Sequence, residues 1–176
     1  MKKGSKASRK FTPFDIAITG LMIALVYVFT LIRMPLPGAL YDGGLMHFGT
    51  VPLVFASIQF GRRKGALAGA LGMGLFDLTM GYAVWAPFTF VIRGIMGWLV
   101  GWIAGGKKEK PLLWNFLAIL IGGVWMTLGY YFAQCVIYMN WISGLYDMIG
   151  DAVQVLAALL LTLPLLTLTQ RVWKIK

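Results

Sequence analysis

Long apolar stretches separated by short polar or glycine-rich segments occupy most of this 176-residue chain. A membrane-spanning helix needs about 20 predominantly apolar residues, and six candidate stretches can be placed. We therefore predict an all-α, multi-pass membrane domain of six transmembrane helices over residues 13–170, between flexible basic tails at 1–12 and 171–176. The six candidates are 14–33, 47–61, 65–80, the stretch from Pro87 to the glycines at 105–106, 112–134 and 147–169.

The second candidate span is short and contains Pro52. At about 1.5 Å per residue, its fifteen residues reach roughly 22 Å, which is less than the thickness of a bilayer's apolar core. We expect this span to be tilted little, to be bent, or to be extended by loop residues that fold back into the protein.

Composition and charge support a membrane protein and give its orientation. Hydrophobic residues make up 59% of the chain and charged residues 12%, which is too apolar for an ordinary soluble domain. The net charge of +10 comes from basic clusters that alternate with loops lacking Lys and Arg, namely 34–46, 81–86 and 135–146. This positive-inside pattern predicts cytoplasmic termini, and it argues against nucleic acid as the partner. We expect the protein to lie in a cell membrane, and in a bacterial one.

Residues that could hold a metal or perform catalysis are scarce. One histidine, His47, and one cysteine, Cys135, are too few for a Cys/His metal cluster. The motifs H-E-x-x-H and G-x-S-x-G are absent. We therefore expect no metal and no enzyme activity, and a membrane-embedded enzyme is the least favoured function class.

Two spans each place one charged residue among glycines spaced four apart. Gly65, Gly69 and Asp77 share one face of the third span, and Arg93 and Gly97 share a face of the fourth. Small residues at this spacing allow close packing of membrane helices, so both charges should point into the bundle. Two interpretations are open: a buried salt bridge between Asp77 and Arg93, or contact with a ligand.

The other polar residues of the outer half extend this candidate site. We interpret the group as lining a pocket open to the outside, although His47 is also typical of an interfacial residue, and the aromatic residues are also typical of a belt at the headgroup level. Aromatic side chains could equally stack on a flat heterocycle. The candidate substrate-binding residues are His47, Asp77, Tyr82, Trp85, Arg93, Gln134, Tyr138, Asn140 and Asp151.

Two segments resemble a known family: G-A-x-x-G-x-x-G-x-x-x-x-D-L at 65–78 and A-P-F-T-F-x-x-R-G-x-x-G-x-x-x-G at 86–101. Together with six short-looped spans, they resemble the substrate-binding S component of energy-coupling factor (ECF) vitamin transporters. Gly20 and Ala24 form a small-xxx-small pair in the first span, where that family typically has two alanines. Packing inside the bundle and docking of another membrane protein are both compatible with this pair.

The resemblance implies a function and a set of partners. An S component captures a vitamin or precursor in an outward pocket and delivers it with a transmembrane T subunit and two ATP-binding-cassette ATPases. The chain has no G-x-x-x-x-G-K-[ST] phosphate loop, so ATP would be used by the partner subunits and this chain would need no cofactor. Overall likeness favours the hydroxymethylpyrimidine or pyridoxine type, with riboflavin next; the alternative function is a stand-alone channel or facilitator.

Overall fold

The computed structural model describes residues 11–35, 45–105 and 112–174. Most of the predicted N-terminal tail, the centre of the 34–46 loop and the lysine-rich loop at 106–111 lie outside these residues. The described part is built almost entirely of helices, with one short two-stranded ribbon. Its elements are α1 (Pro13–Leu31), β1 (Arg33–Pro35), β2 (Leu45–His47), α2 (Thr50–Phe60), α3 (Arg62–Thr79), α4 (Ala86–Ala104), α5 (Leu112–Tyr138) and α6 (Ser143–Lys174).

Four of these helices are apolar and long enough to cross a membrane: α1, α4, α5 and, within α6, the segment Asp147–Thr169. Helix α2 has only eleven residues, which corresponds to about 16 Å. The strands β1 and β2 pair antiparallel, with Arg33 opposite His47. The expectation that loop residues complete the short second span therefore agrees with this ribbon, whereas the helix itself is shorter than the predicted 47–61.

Two predicted boundaries at the end of the chain are wrong. Residues 135–138 belong to α5, not to an outer loop, because this apolar segment contains no helix breaker before Met139, whose φ is +51°. Helix α6 starts at Ser143 and continues to Lys174, into the predicted tail. Lys and Arg are compatible with the last turn of a helix in general, so the basic composition of 171–176 did not mark the end of α6.

The start of α1 is fixed by a capping box. The Thr12 side chain accepts a hydrogen bond from the Asp15 N–H, while the Asp15 carboxylate accepts from the Thr12 N–H and hydroxyl. The same carboxylate forms an ion pair with Lys64 at 2.5 Å. Helix α1 is therefore bound at its beginning to the first turn of α3.

Glycines allow α3 to pack closely against its neighbours. A Cβ atom at Gly97 would overlap the backbone of Gly65, and one at Gly101 would lie 2.6 Å from the Arg62 backbone nitrogen. The predicted glycine faces of the third and fourth spans thus meet each other. Helix α3 lies between α1 and α4, while α2 packs on all three of these helices and on α6.

Candidate ligand pocket

A pocket of about 60 Å³ lies where the ends of α3 and α4 meet β2, α5 and α6. Gly81, with φ of +90°, makes the turn that leads from α3 toward α4, and this turn brings Tyr82 and Trp85 to the pocket. The lining residues are His47, Phe76, Asp77, Tyr82, Trp85, Thr89, Arg93, Tyr130, Asp147, Gly150, Asp151 and Gln154.

Arg93 is the centre of the hydrogen-bond network at this pocket, and it is only 1% exposed. Its Nε donates to the Tyr130 hydroxyl at 3.0 Å, and Nη1 donates to Thr50 Oγ1 at 2.9 Å. Nη1 also contacts the Met126 sulfur. The remaining nitrogen, Nη2, donates to Gln154 Oε1 at 3.1 Å and lies 3.5 Å from His47 Nε2.

These contacts give each of the three guanidinium nitrogens at least one protein acceptor. Arg93 therefore joins α4 to β2, α2, α5 and α6 through neutral partners. Asp77 is not among these partners, so a direct Asp77–Arg93 salt bridge, one of the two interpretations that the sequence left open, is not formed among the described residues. A charge buried without a direct counter-ion is costly unless it is fully hydrogen-bonded, and the network supplies those bonds.

Three carboxylates surround this network at the pocket wall. Asp77 on α3 is half-buried, and the Thr89 hydroxyl is within its hydrogen-bonding reach. Thr89 in turn accepts a hydrogen bond from Tyr130 at 3.2 Å, so Asp77 is connected to Arg93 indirectly. Asp147 and Asp151 lie on α6, where Asp151 accepts a long hydrogen bond of 3.5 Å from Gln154. A carboxylate offers about four lone-pair positions, so these groups retain capacity to accept bonds from a ligand.

Aromatic rings form another wall of the pocket. Phe76 and Tyr82 are stacked, with centroids 6.3 Å apart and planes at 10°. The guanidinium carbon of Arg33 lies 5.3 Å from both ring centroids, which is within the range of a cation–π contact. Trp85 packs against Tyr130 at 6.3 Å.

His47 lies in β2, outside the membrane-spanning helices, and borders both the pocket and Arg93. Because Arg93 can only donate, His47 Nε2 is the acceptor in this contact, and the buried Nδ1 has no hydrogen-bond partner among the described residues.

The structure brings six of the nine predicted substrate-binding residues to the pocket: His47, Asp77, Tyr82, Trp85, Arg93 and Asp151. The other three are outside its lining. Gln134 is buried on α5, Tyr138 packs behind Trp85 at 6.1 Å, and Asn140 accepts a hydrogen bond from the Ile142 N–H. The greater length of α5 moves Tyr138 from the predicted loop into the helix, whereas Gln134 stays in α5 and Asn140 stays in the turn between α5 and α6.

Six further lining residues were not among the predicted set. Gln154 follows Asp151 by three residues and therefore shares its helix face, and the same spacing argument from Asp151 identifies Asp147. Tyr130 and Thr89 had no such signal, because isolated hydroxyls are common in membrane helices. The residues missed are Phe76, Thr89, Tyr130, Asp147, Gly150 and Gln154.

The Gly20/Ala24 face of α1 is exposed, and a Cβ atom added at Gly20 would meet nothing within 4 Å. Packing of this face inside the bundle, one of the two interpretations from sequence, is therefore not observed. Among the described residues, no three His, Cys, Asp or Glu side chains are arranged to hold a metal ion.

Comparisons with known proteins identify the fold and the family. The model of the ECF-type riboflavin transporter S component matches residues 10–171. The chain is 29% identical over 157 residues to the thiamine precursor transporter HmpT of Lactococcus lactis subsp. cremoris, covering 89% of this chain and 87% of that protein.

A protein of Pyrococcus woesei described only as uncharacterized is 35% identical over 108 residues, which are 61% of this chain and 69% of that protein. The solved structure of ThiT from Listeria monocytogenes has the same fold, with a TM-score of 0.59, 16% identity and coverage of 89% of this chain and 95% of ThiT. The predicted resemblance is confirmed, and the chain is a transporter component rather than an enzyme. It belongs to the family of ECF-type riboflavin transporter S components.

Proposed function

We propose that this chain is the substrate-capture subunit of an ATP-driven importer in the cell membrane. It binds a small heterocyclic vitamin or precursor on the outer side and delivers it with a T subunit and two ATP-binding-cassette ATPases. Family membership and the similarity to a thiamine precursor transporter support this proposal. In this proposal all six helices cross or enter the membrane, with both termini in the cytoplasm.

The substrate we propose is a single heterocyclic ring with amino or hydroxyl donors, as in hydroxymethylpyrimidine or pyridoxine. The supporting observation is that the donors of Arg93 already have protein partners, whereas Asp77, Asp147 and Asp151 line the pocket as acceptors. An anionic vitamin such as pantothenate would meet these carboxylates, while the donors of Arg93 are already engaged by protein partners. The pocket thus favours ligands that donate hydrogen bonds.

The size of the pocket and its aromatic wall support the same substrate class. A volume of about 60 Å³ is small, since pockets for drug-sized ligands are roughly 300–1,000 Å³. One ring stacked on Tyr82 or Trp85 suits this space better than the three fused rings of riboflavin. The size of the pocket therefore favours a one-ring substrate, although the matched family is named for riboflavin.

The test of substrate class is titration of the purified protein with hydroxymethylpyrimidine, pyridoxine, riboflavin and pantothenate. We expect one of the first two to bind most tightly, and we expect Asp77→Asn to weaken that binding roughly tenfold or more, because a hydrogen bond to a charged group is worth about 1.5–3 kcal/mol. Asp15→Asn makes the same chemical change away from the pocket and should leave affinity unchanged. Tightest binding of pantothenate would refute the proposed class.

Coupling to partners is proposed to use the exposed Gly20/Ala24 face. Gly20→Leu or Ala24→Leu should prevent close helix approach, so co-purification with the T subunit and ATPases should fall while ligand affinity of the isolated chain stays constant. Gly20→Ala keeps the residue small and is the matched control. Vitamin uptake by this chain without partners would instead favour the stand-alone facilitator.

Topology can be tested by cysteine labelling in a Cys135→Ser background. Lys108→Cys should react with a membrane-impermeant reagent only after the cells are opened, because the basic clusters are expected to stay in the cytoplasm. Val84→Cys, in the turn between α3 and α4, should react in intact cells. The reverse labelling pattern would overturn the proposed orientation.

A further inference from the structure

A surface at the junction of α3 and α4, made by Arg62, Trp98 and Trp102, is not used by the proposed pocket or by the Gly20/Ala24 face. The two tryptophans are four residues apart on α4 and are 40% and 57% exposed. Their rings are stacked, with centroids 5.8 Å apart and planes at 13°. We call this surface the tryptophan patch.

The packing of the two helices places Arg62 on the tryptophan patch. Gly101 lacks a side chain, so the backbone of Arg62 lies directly against α4. From there the exposed guanidinium reaches over the Trp98 ring, at 5.4 Å from its centroid. The patch therefore combines a flat aromatic surface with a cation held at its edge.

Among the described residues, no carboxylate balances the positive charge at the patch. In the part of the chain that the structure describes, Arg62 has no carboxylate within ion-pair distance, while the nearby Lys64 is paired with Asp15. Helix α3 also begins without an acidic residue in its first turn and without a side-chain cap. The positive end of the helix dipole adds to the charge of Arg62, so the surface is complementary to an anion.

The position of the patch indicates where that anion would come from. Trp102 is two residues before the last residue of α4, so the patch lies at one end of a membrane-spanning helix. Tryptophan rings are enriched at the level of lipid headgroups, and anionic lipids attract nearby Arg and Lys. On the other side of α3 lies α1 with the Gly20/Ala24 face, so the patch is separate from the proposed partner face.

We propose that the tryptophan patch is a binding site for an anionic phospholipid of the cytoplasmic leaflet. The headgroup phosphate accepts hydrogen bonds from Arg62, and the glycerol and upper acyl chains lie on Trp98 and Trp102. The leaflet follows from the topology in the proposed function. The lipid site itself does not depend on which vitamin is bound, so the two proposals can fail separately.

The experiment is native mass spectrometry of the protein in mixed micelles containing phosphatidylglycerol and phosphatidylcholine in equal amounts. We expect one phosphatidylglycerol to be retained preferentially by the wild-type chain. Arg62→Gln should weaken its retention about fivefold, as expected for the loss of one cation near an anionic headgroup. The double change Trp98→Ala and Trp102→Ala should weaken it as well, while retention of phosphatidylcholine should not respond to Arg62→Gln.

Trp141→Ala is the matched control, since Trp141 is 64% exposed but lies in the turn between α5 and α6. Melting temperatures of all variants, measured in parallel, check that each is folded. Equal retention of phosphatidylglycerol by wild type and a folded Arg62→Gln would overturn the proposal. Equal loss of phosphatidylglycerol and phosphatidylcholine from Arg62→Gln would also overturn it, because that result indicates general anchoring. Loss of T-subunit binding with lipid retention unchanged would overturn it too, because that result indicates a protein interface.

Discussion

The two ends of the α3–α4 pair are held together by different physical means. At the pocket end, Arg93 joins β2, α2, α4, α5 and α6 through hydrogen bonds of its side chain. At the other end, Gly65, Gly97 and Gly101 bring helix backbones into direct contact. The pocket end thus leaves space beside a polar network, whereas the glycine end leaves none. The difference shows how one helix pair can both form a cavity and close it.

The largest effect is expected for Arg93→Ala. This change removes a buried side chain and leaves Thr50, Tyr130 and Gln154 without their donor, so the free energy of unfolding should fall by about 3–5 kcal/mol. Ligand affinity should fall with it, because the network positions the pocket wall. Thermal unfolding and ligand titration measure the two quantities.

Arg63→Ala, which removes an exposed arginine at the opposite end of α3, is the control and should change the free energy of unfolding by less than about 1 kcal/mol. A stable Arg93→Ala protein with weakened binding would instead mean that Arg93 contacts the ligand directly. That result would contradict the assignment of its donors to protein partners.

A smaller loss of stability is expected for Gly97→Ala at the glycine end. The new methyl group would overlap the Gly65 backbone, and such overpacking typically costs about 1–3 kcal/mol. The same change at Gly20, where the methyl meets nothing, should be neutral or stabilising by up to about 1 kcal/mol through helix propensity. Ligand affinity should not respond to either change, and equal melting temperatures for the two variants would argue against backbone contact at Gly97.

The smallest effect is expected for Asn140→Ala. This residue is outside the pocket lining and accepts a hydrogen bond from the Ile142 N–H, so its loss should cost roughly 1 kcal/mol of stability. Ligand affinity should stay within about twofold, equivalent to less than 0.5 kcal/mol. A tenfold weaker affinity would place Asn140 in the site after all and would extend the pocket beyond α6.

Sequence reasoning worked where one local pattern determined the answer. Glycines four apart predicted which faces of α3 and α4 meet, and the position of Asp77 and Arg93 on those faces brought both to one pocket. The partners of Arg93 could not be found in this way. Thr50, Tyr130 and Gln154 come from three different helices, and no sequence spacing relates them.

Local sequence patterns also could not predict the two-stranded ribbon or the length of α5. Three residues paired with three others, across a segment of prolines and glycines, leave no alternating signal in the chain. Helix α5 ends where Met139 adopts a positive φ. A methionine in the sequence gives no indication of such a conformation. The resulting error placed Tyr138 in a predicted loop and hence in the predicted site, whereas Asn140 does lie in the connection between α5 and α6 but outside the pocket lining.

The capping box at the start of α1 has a practical consequence for protein engineering. Among the described residues, the groups that fix this helix end, including the Thr12 N–H and the Asp15 carboxylate, lie at residue 12 or beyond. A protein that carries an affinity tag or a reporter domain directly before Phe11 would therefore keep both the cap and the ion pair to Lys64.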